Sequence, residues 1–279
     1  MDATFARDMW KAIEPLHAVT YFAEECLAAS KDAGLKGFWM GYFGSRAAPL
    51  GAVSAGAVEA VFFGFHPARV RRAVPDAWSF ASPESILRVR GAAAARALRR
   101  VFPAIEDVAV TAAPLLREVV LAAGGGGRAL FAANRDLDVP EDPVEALWQA
   151  ATALREHRGD GHVALLAAEG LSGLEANVLA SAAGVVPAER LQQSRGWSPE
   201  EWDAAAGALA RRGLAAGGEA TAEGRALKDA IERRTDELAA PPYGVLDDPE
   251  ALRASLVPAA KAAAGEMPFP NPIGLPRAE

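Results

Sequence analysis

Hydrophobic residues recur at three- and four-residue intervals along most of the chain, which is the spacing of amphipathic helices. The segments between these runs carry Ser, Asp or Pro where helices start and Gly where they stop. Residues 37–51 are rich in glycine and aromatics and are predicted as a loop or a broken helix. The pattern predicts an all-α fold with helices over 12–33, 53–63, 82–102, 104–123, 143–157 and 222–238, one from Pro67, three between 172 and 213, and one from Pro249.

The stretch 171–238 contains the most informative series of helix start and stop signals in the chain. Ser172 with Glu175, and again Ser198 with Glu201, have the spacing of capping boxes. In a capping box two side chains satisfy backbone N–H groups that are free at a helix start. A short second helix, which starts at Pro187, lies between the two capped ones, and a glycine follows each of the three.

A small hairpin and a further helix are predicted after these three helices. Residues 214–215 and 220–221 are expected to pair around a glycine turn, and Thr221 is expected to cap the last helix. This order is that of a winged helix-turn-helix. The sequence therefore predicts a helical domain over 1–160, a winged-helix domain over 161–240, and a C-terminal helix with a proline-rich tail over 241–279.

The charges of this module conflict with DNA binding. The first turn of its third helix, which in DNA-binding modules lies closest to the bases, carries Glu200, Glu201 and Asp203. Over 171–238 there are 11 acidic and 8 basic residues, whereas DNA affinity depends on Lys and Arg that neutralise phosphates. Both DNA binding and a repurposed winged helix stay open. The candidate DNA contacts are Arg190, Arg195, Trp202, Arg211 and Arg212.

Composition and net charge limit the classes of protein that this chain can belong to. The 279 residues are 51% hydrophobic, with a net charge of −7 and a pI near 5.3, so no global field attracts nucleic acid or anionic lipid. Cys26 is the single cysteine, which excludes an intramolecular disulfide. No signal peptide and no membrane-spanning run is recognised, and we expect a cytoplasmic protein.

Aromatic residues concentrate in 37–51 and 61–67, around Arg46 and His66. A hydrophobic core would explain most of them, but the glycines also suit close approach of a ligand. Arg46 needs a partner, and an anionic ligand group is one candidate. His66 stands at a helix start, where a neutral imidazole can cap the helix or bind a ligand, metal or haem. The candidate ligand contacts here are Trp39, Tyr42, Phe43, Arg46, Phe65 and His66.

A second polar segment, 155–162, combines two histidines with glycines on either side of Asp160. The glycines predict a break in the chain before the winged helix. The spacing of the histidines matches no metal motif. The alternatives are a structural hinge, a helix cap, or a polar ligand site formed by Arg158, Asp160 and His162.

The winged-helix region resembles MarR-type proteins in two stretches, Trp197–Leu214 and Thr221–Leu227. The whole chain also resembles an actinobacterial helix-turn-helix family of about this length, through Tyr42–Gly51, Phe65–Pro67 and Arg155–His162. The MarR likeness implies a winged-helix fold, a homodimer and double-stranded DNA as a partner. The acidic third helix and the short wing depart from that pattern.

These observations predict a ligand-responsive regulator that binds a small molecule, with an anionic aromatic compound as one candidate, in its N-terminal domain. The alternative is a small-molecule-binding protein or enzyme that uses the winged helix only as a scaffold. No Walker loop, zinc-protease motif or nucleophile elbow is present, so the sequence neither assigns an enzyme activity nor names a cofactor. A steep salt dependence of DNA binding would distinguish the two hypotheses.

Overall fold

Helices account for most of residues 1–276, which are the residues that the computed structural model describes. The last three residues of the predicted 241–279 unit lie outside this range. The helices are α1 Ala3–Phe22, α2 Glu24–Asp32, α3 Gly37–Ala47, α4 Ala55–Val61, α5 Pro67–Arg71, α6 Ala77–Phe80, α7 Pro83–Val101, α8 Ile105–Ala122, α9 Ala129–Arg135, α10 Pro143–Ala168, α11 Gly173–Ala182, α12 Ala188–Arg195, α13 Pro199–Arg211, α14 Ala222–Ala239 and α15 Pro249–Ala264, with 3-10 turns at Ala48–Leu50 and Pro241–Val245.

The mainly helical fold class is confirmed, and so is the small hairpin. Strand β1 (Ala215–Ala216) pairs antiparallel with β2 (Glu219–Ala220), one residue from the predicted positions. Gly217 and Gly218 have φ angles of 58° and 86°, which only glycine adopts readily, so they form the turn. The structure therefore contains the predicted wing.

The helix caps of the winged-helix region are confirmed in atomic detail. The Ser172 and Ser198 side chains each accept the N3 backbone N–H, and Glu175 and Glu201 each accept the cap N–H in return. Thr221 Oγ1 accepts the Gly224 N–H at 3.1 Å, as a cap of α14 should. These contacts are local in sequence, which is why the sequence pattern identifies them.

Two predictions near the N-terminus are wrong. The 12–33 segment is two helices, because Ala23 is extended (ψ 141°) and redirects α2 to pack against α7. Residues 37–51 are no loop, because α3 runs unbroken from Gly37 to Ala47. Gly41 in the middle of α3 permits close packing instead, since a Cβ at this position would overlap Ser30 Oγ.

The predicted break at 159–161 is also wrong, because α10 continues to Ala168. The glycine at 161 provides room for the Arg128 guanidinium, which donates to the His157 carbonyl. The missed helix α9 packs against α10 here. The proposed domain boundary at 160/161 therefore falls within one helix.

Separate hydrophobic cores form in the helical bundle, beneath α3 to α6, and within the winged helix. Among residues 1–276, no single helix is long and apolar enough to span a membrane. Helices α10 and α11 pass that test only as a pair, with a bend of 96° between them.

We expect Gly224→Ala to lower the free energy of unfolding by about 1–3 kcal/mol, because its Cβ would overlap the Leu214 carbonyl oxygen next to the wing. Gly207→Ala is the matched control. Its Cβ would come no closer than 3.6 Å to Arg211, so it should stabilise α13 by up to about 1 kcal/mol. Urea denaturation measures both effects. Equal stability of the two variants would contradict the close contact between α14 and the wing.

Candidate functional site

A cavity of about 540 Å³ lies between the helical bundle and the winged helix. Its volume falls within the range of roughly 300–1,000 Å³ that is usual for small-molecule sites. One wall comes from α3, α10 and the 61–65 turn, and the other from α11, α12 and α14. Part of the proline-rich tail completes the lining, so three distant parts of the chain enclose the space.

The bundle wall is aromatic because of the residue spacing in α3. Trp39 and Tyr42 are three residues apart and therefore share one face of the helix, which lines the cavity. Both rings contact Phe65, with centroid distances of 5.8 and 5.3 Å. Phe43 lies fully buried in the core and is not part of the lining. The aromatic cluster therefore serves both as core and as cavity wall.

Arg46 lines the cavity, but its main partner is a carboxylate of the protein. Its guanidinium donates two hydrogen bonds to Glu156 on α10, at 2.8 and 2.9 Å, and lies 4.3 Å from the centre of the Phe62 ring. Burial alone would raise the pKa of Glu156, but Arg46 and Arg155 outweigh it and hold the pKa well below its usual range. The partner that the sequence analysis required for Arg46 is therefore supplied by Glu156, 110 residues away in the chain.

Arg190 and Arg195 also line the cavity, whereas the sequence suggested them as DNA contacts. Arg195 lies 4.5 Å from the centre of the Phe65 ring and donates to the Pro272 carbonyl at 2.7 Å. Burial lowers the pKa of Arg195, as does its proximity to two other arginines. No local sequence pattern indicates this placement, because α12 meets the aromatic wall only in the folded chain.

His162 supplies a polar group from α10. Its Nδ1 lies 3.0 Å from the Thr235 hydroxyl, which itself donates to the Ile231 carbonyl at 2.8 Å. The Nδ1 atom therefore carries the proton, and Nε2 is left as an acceptor. Burial lowers the pKa of His162, which favours this neutral form. His162 belongs to the cavity lining, and its role as a ligand contact stays a prediction.

Arg158 and Asp160 lie outside that lining. Arg158 forms ion pairs with Asp236 and Glu232 on α14, at 2.9 and 3.1 Å. Asp160 accepts the Phe131 N–H at 3.0 Å and so caps α9, and burial raises its pKa to about 6. Both side chains hold helices together, so the polar segment 155–162 contributes mainly to structure.

His66 does not line the cavity either, but it joins the bundle to the winged helix. Its Nδ1 accepts the Ala68 N–H at 3.0 Å, which confirms the predicted cap of α5. Its Nε2 lies 3.0 Å from Glu201 at the start of α13, and its ring packs against Trp197. His66 therefore contacts the first turn of the third helix of the winged module.

We call residues 62–69 the docking segment, because several of its backbone groups bind the winged helix. The Gly64 carbonyl accepts hydrogen bonds from Asn177 at 2.8 Å and Trp197 at 3.0 Å. The His66 N–H donates to the Arg195 carbonyl at 2.9 Å. These contacts hold α11 and the α12–α13 turn against the bundle and close the cavity.

The remaining candidate DNA contacts differ in their surroundings. Trp202 is buried in the core of the winged helix, and Arg212 donates to the carbonyls of Glu169 and Gly170 at the end of α10. Arg211 is exposed near the end of α13. The exposed side chains at the start of α13 include Glu200 and Asp203, so this surface is acidic.

A comparison with protein-family models matches residues 6–270 to a family described as Helix-turn-helix. The chain belongs to this helix-turn-helix family. The match extends over the bundle as well as the winged helix, so the family likeness includes both walls of the cavity. No curated protein and no solved structure matches the chain significantly.

We expect Glu156→Gln to lower the free energy of unfolding by about 3–5 kcal/mol, because it leaves two buried arginines without their shared carboxylate. Glu106→Gln is the matched control. Glu106 pairs with Arg99 at the surface, so the change should cost less than about 1 kcal/mol. Thermal or urea denaturation compares the two. A small effect of Glu156→Gln would show that the buried cluster does not support the bundle.

Proposed function

We propose that this helix-turn-helix protein is a ligand-responsive regulator that binds a small molecule in the cavity between bundle and winged helix. The observation that carries the proposal is the composition of the cavity, whose two walls belong to different parts of the molecule. A molecule in this space contacts both walls at once. Binding therefore changes the free energy of any movement of the winged helix against the bundle.

The docking segment provides the link between occupancy and the winged helix. Phe63, Gly64 and Phe65 line the cavity, and the neighbouring His66 contacts the start of α13. A ligand that displaces Phe65 would therefore also shift the hydrogen bonds that hold the α12–α13 turn. Packed interfaces tend to have a few discrete arrangements, so a small shift of this kind can move the winged helix from one arrangement to another.

DNA is the partner that helix-turn-helix families typically bind, and it is the proposed output here. In the docked arrangement the start of α13 lies against the docking segment and its exposed side chains are acidic. We therefore expect weak DNA binding unless the winged helix is released. The acidic surface also favours the alternative in which the winged helix is only a scaffold for ligand binding or catalysis.

We expect an aromatic ligand to protect both walls of the cavity from backbone amide exchange. The full chain would be saturated with 2-naphthoate and, separately, with its uncharged amide, and exchange would be followed by mass spectrometry. Protection should appear in residues 61–69 and also in 173–196. Ala180→Trp, which places a large side chain in the cavity, should abolish it. Protection by neither compound, or protection of the bundle wall alone, would contradict the proposed coupling.

The DNA output has its own test. Binding of random duplex at ~150 mM salt should be no tighter than micromolar and should weaken steeply as salt increases. Arg211→Ala should weaken DNA binding further, because Arg211 is exposed on α13. Arg233→Ala is the control, since it removes an arginine on α14 that is paired with Glu237, and it should weaken DNA binding less. Fluorescence anisotropy measures the affinity. Complete absence of binding would favour the scaffold alternative, and salt-resistant nanomolar binding would contradict the reasoning from charge.

A further inference from the structure

We infer that the cavity ligand is an aromatic oxyanion and that Arg195, assisted by Arg190, binds its anionic group. This inference rests on the proposed function, and it defines the chemistry of the ligand. It also differs from the expectation drawn from the sequence, which gave this role to Arg46.

The first argument is the balance of charge around the cavity. Among the described residues, its lining holds five cationic side chains and one carboxylate, although the protein as a whole carries a net charge of −7. The carboxylate, Glu232, is already paired with Arg7 and Arg158. The lining therefore concentrates positive charge in an acidic protein. The five cations are Arg46, Arg155, Arg190, Arg195 and Lys228.

The second argument is which of these cations already have carboxylate partners. Arg46 binds Glu156, and Arg155 binds both Glu156 and Glu14. The Lys228 ammonium lies 4.0 Å from the Asp229 carboxylate. Within residues 1–276, neither Arg190 nor Arg195 has a carboxylate within ion-pair distance, and Arg190 has no hydrogen bond to the protein either. These two arginines on α12 are therefore the cations available to a ligand.

The third argument is the environment of Arg195. Of its five N–H groups, one donates to the Pro272 carbonyl, and the guanidinium lies against the Phe65 ring. A half-buried cation beside an aromatic ring and without a counter-ion is unfavourable, and an anion that enters the cavity relieves this cost. The planar guanidinium fits the two oxygens of a carboxylate or similar oxyanion. Trp39 and Tyr42 both lie within ring-contact distance of Phe65, so an aromatic body would pack beside the bound anion.

The experiment compares three naphthalene compounds by calorimetry on the full chain: 2-naphthoate, its uncharged amide, and the cationic 2-naphthylmethylamine. We expect the carboxylate to bind at least about tenfold more tightly than the amide, since hydrogen bonds between charged groups are the stronger ones, and the amine to bind weakest. Arg195→Gln should reduce the affinity for naphthoate to that for the amide, and Arg190→Gln should reduce it less. Arg211→Gln is the control outside the cavity and should change nothing.

The outcomes separate this inference from the proposed function. Equal binding of carboxylate and amide to the unaltered protein, or an unchanged naphthoate affinity in Arg195→Gln, would overturn the anion site while leaving a ligand cavity in place. Binding of none of the three would count against both. If Arg195→Gln does not fold, Arg195→Lys provides the test. It retains the charge and loses the planar fork, so it should still prefer the carboxylate but bind it more weakly.

Discussion

The buried carboxylate of Glu156 joins the helices that support the rest of the structure. It is only 1% exposed, and it accepts hydrogen bonds from Arg46 on α3 and from Arg155 beside it on α10. Arg155 in turn reaches Glu14 on α1. Because isolated buried charges are costly, these groups stabilise one another, and the network favours the observed packing of the three helices. The aromatic face of α3 is thereby fixed above α10, and the bundle wall of the cavity is formed before any ligand arrives.

The opposite wall is attached mainly by hydrogen bonds to backbone carbonyls. Three of those made by the docking segment are neutral and each is worth roughly 0.5–1.5 kcal/mol net. The Arg69 guanidinium adds two charged ones, to the Gln193 and Ser194 carbonyls, and His66 contacts the Glu201 carboxylate. Stronger ion pairs lie elsewhere on the winged helix, where Arg158 joins α10 to α14. The α12–α13 end has no arginine–carboxylate pair to the docking segment, so it would separate at lower cost than the α14 end, which Arg7 and Arg158 hold through Glu232 and Asp236. This difference would allow a ligand to move the winged helix about a fixed point.

The sequence predicted features whose partners lie close by in the chain. The caps at Ser172, Ser198 and Thr221 each involve residues no more than three positions apart, so the pattern alone identifies them. The break at 159–161 was predicted wrongly because the intrinsic helix preference of glycine is weak compared with tertiary packing. The partner of Arg46 lies 110 residues away, and no local pattern could reveal it. The cavity itself was expected near the right aromatics, but its second wall was not.

The placement of charge on the winged helix explains its conflict with DNA binding. A DNA-reading module presents cations outward, where they meet phosphates. Here Arg190 and Arg195 line the internal cavity, whereas Glu200 and Asp203 face solvent at the start of α13. The turn between α12 and α13, which helix-turn-helix proteins bring close to DNA, is held by the docking segment. Helix α12, which directly precedes the DNA-reading helix α13, therefore forms part of a wall of the cavity, while α13 itself lies outside the lining. An effect of a ligand on DNA binding would pass from α12 and the docking segment to the adjacent α13 and would need no long pathway through the protein.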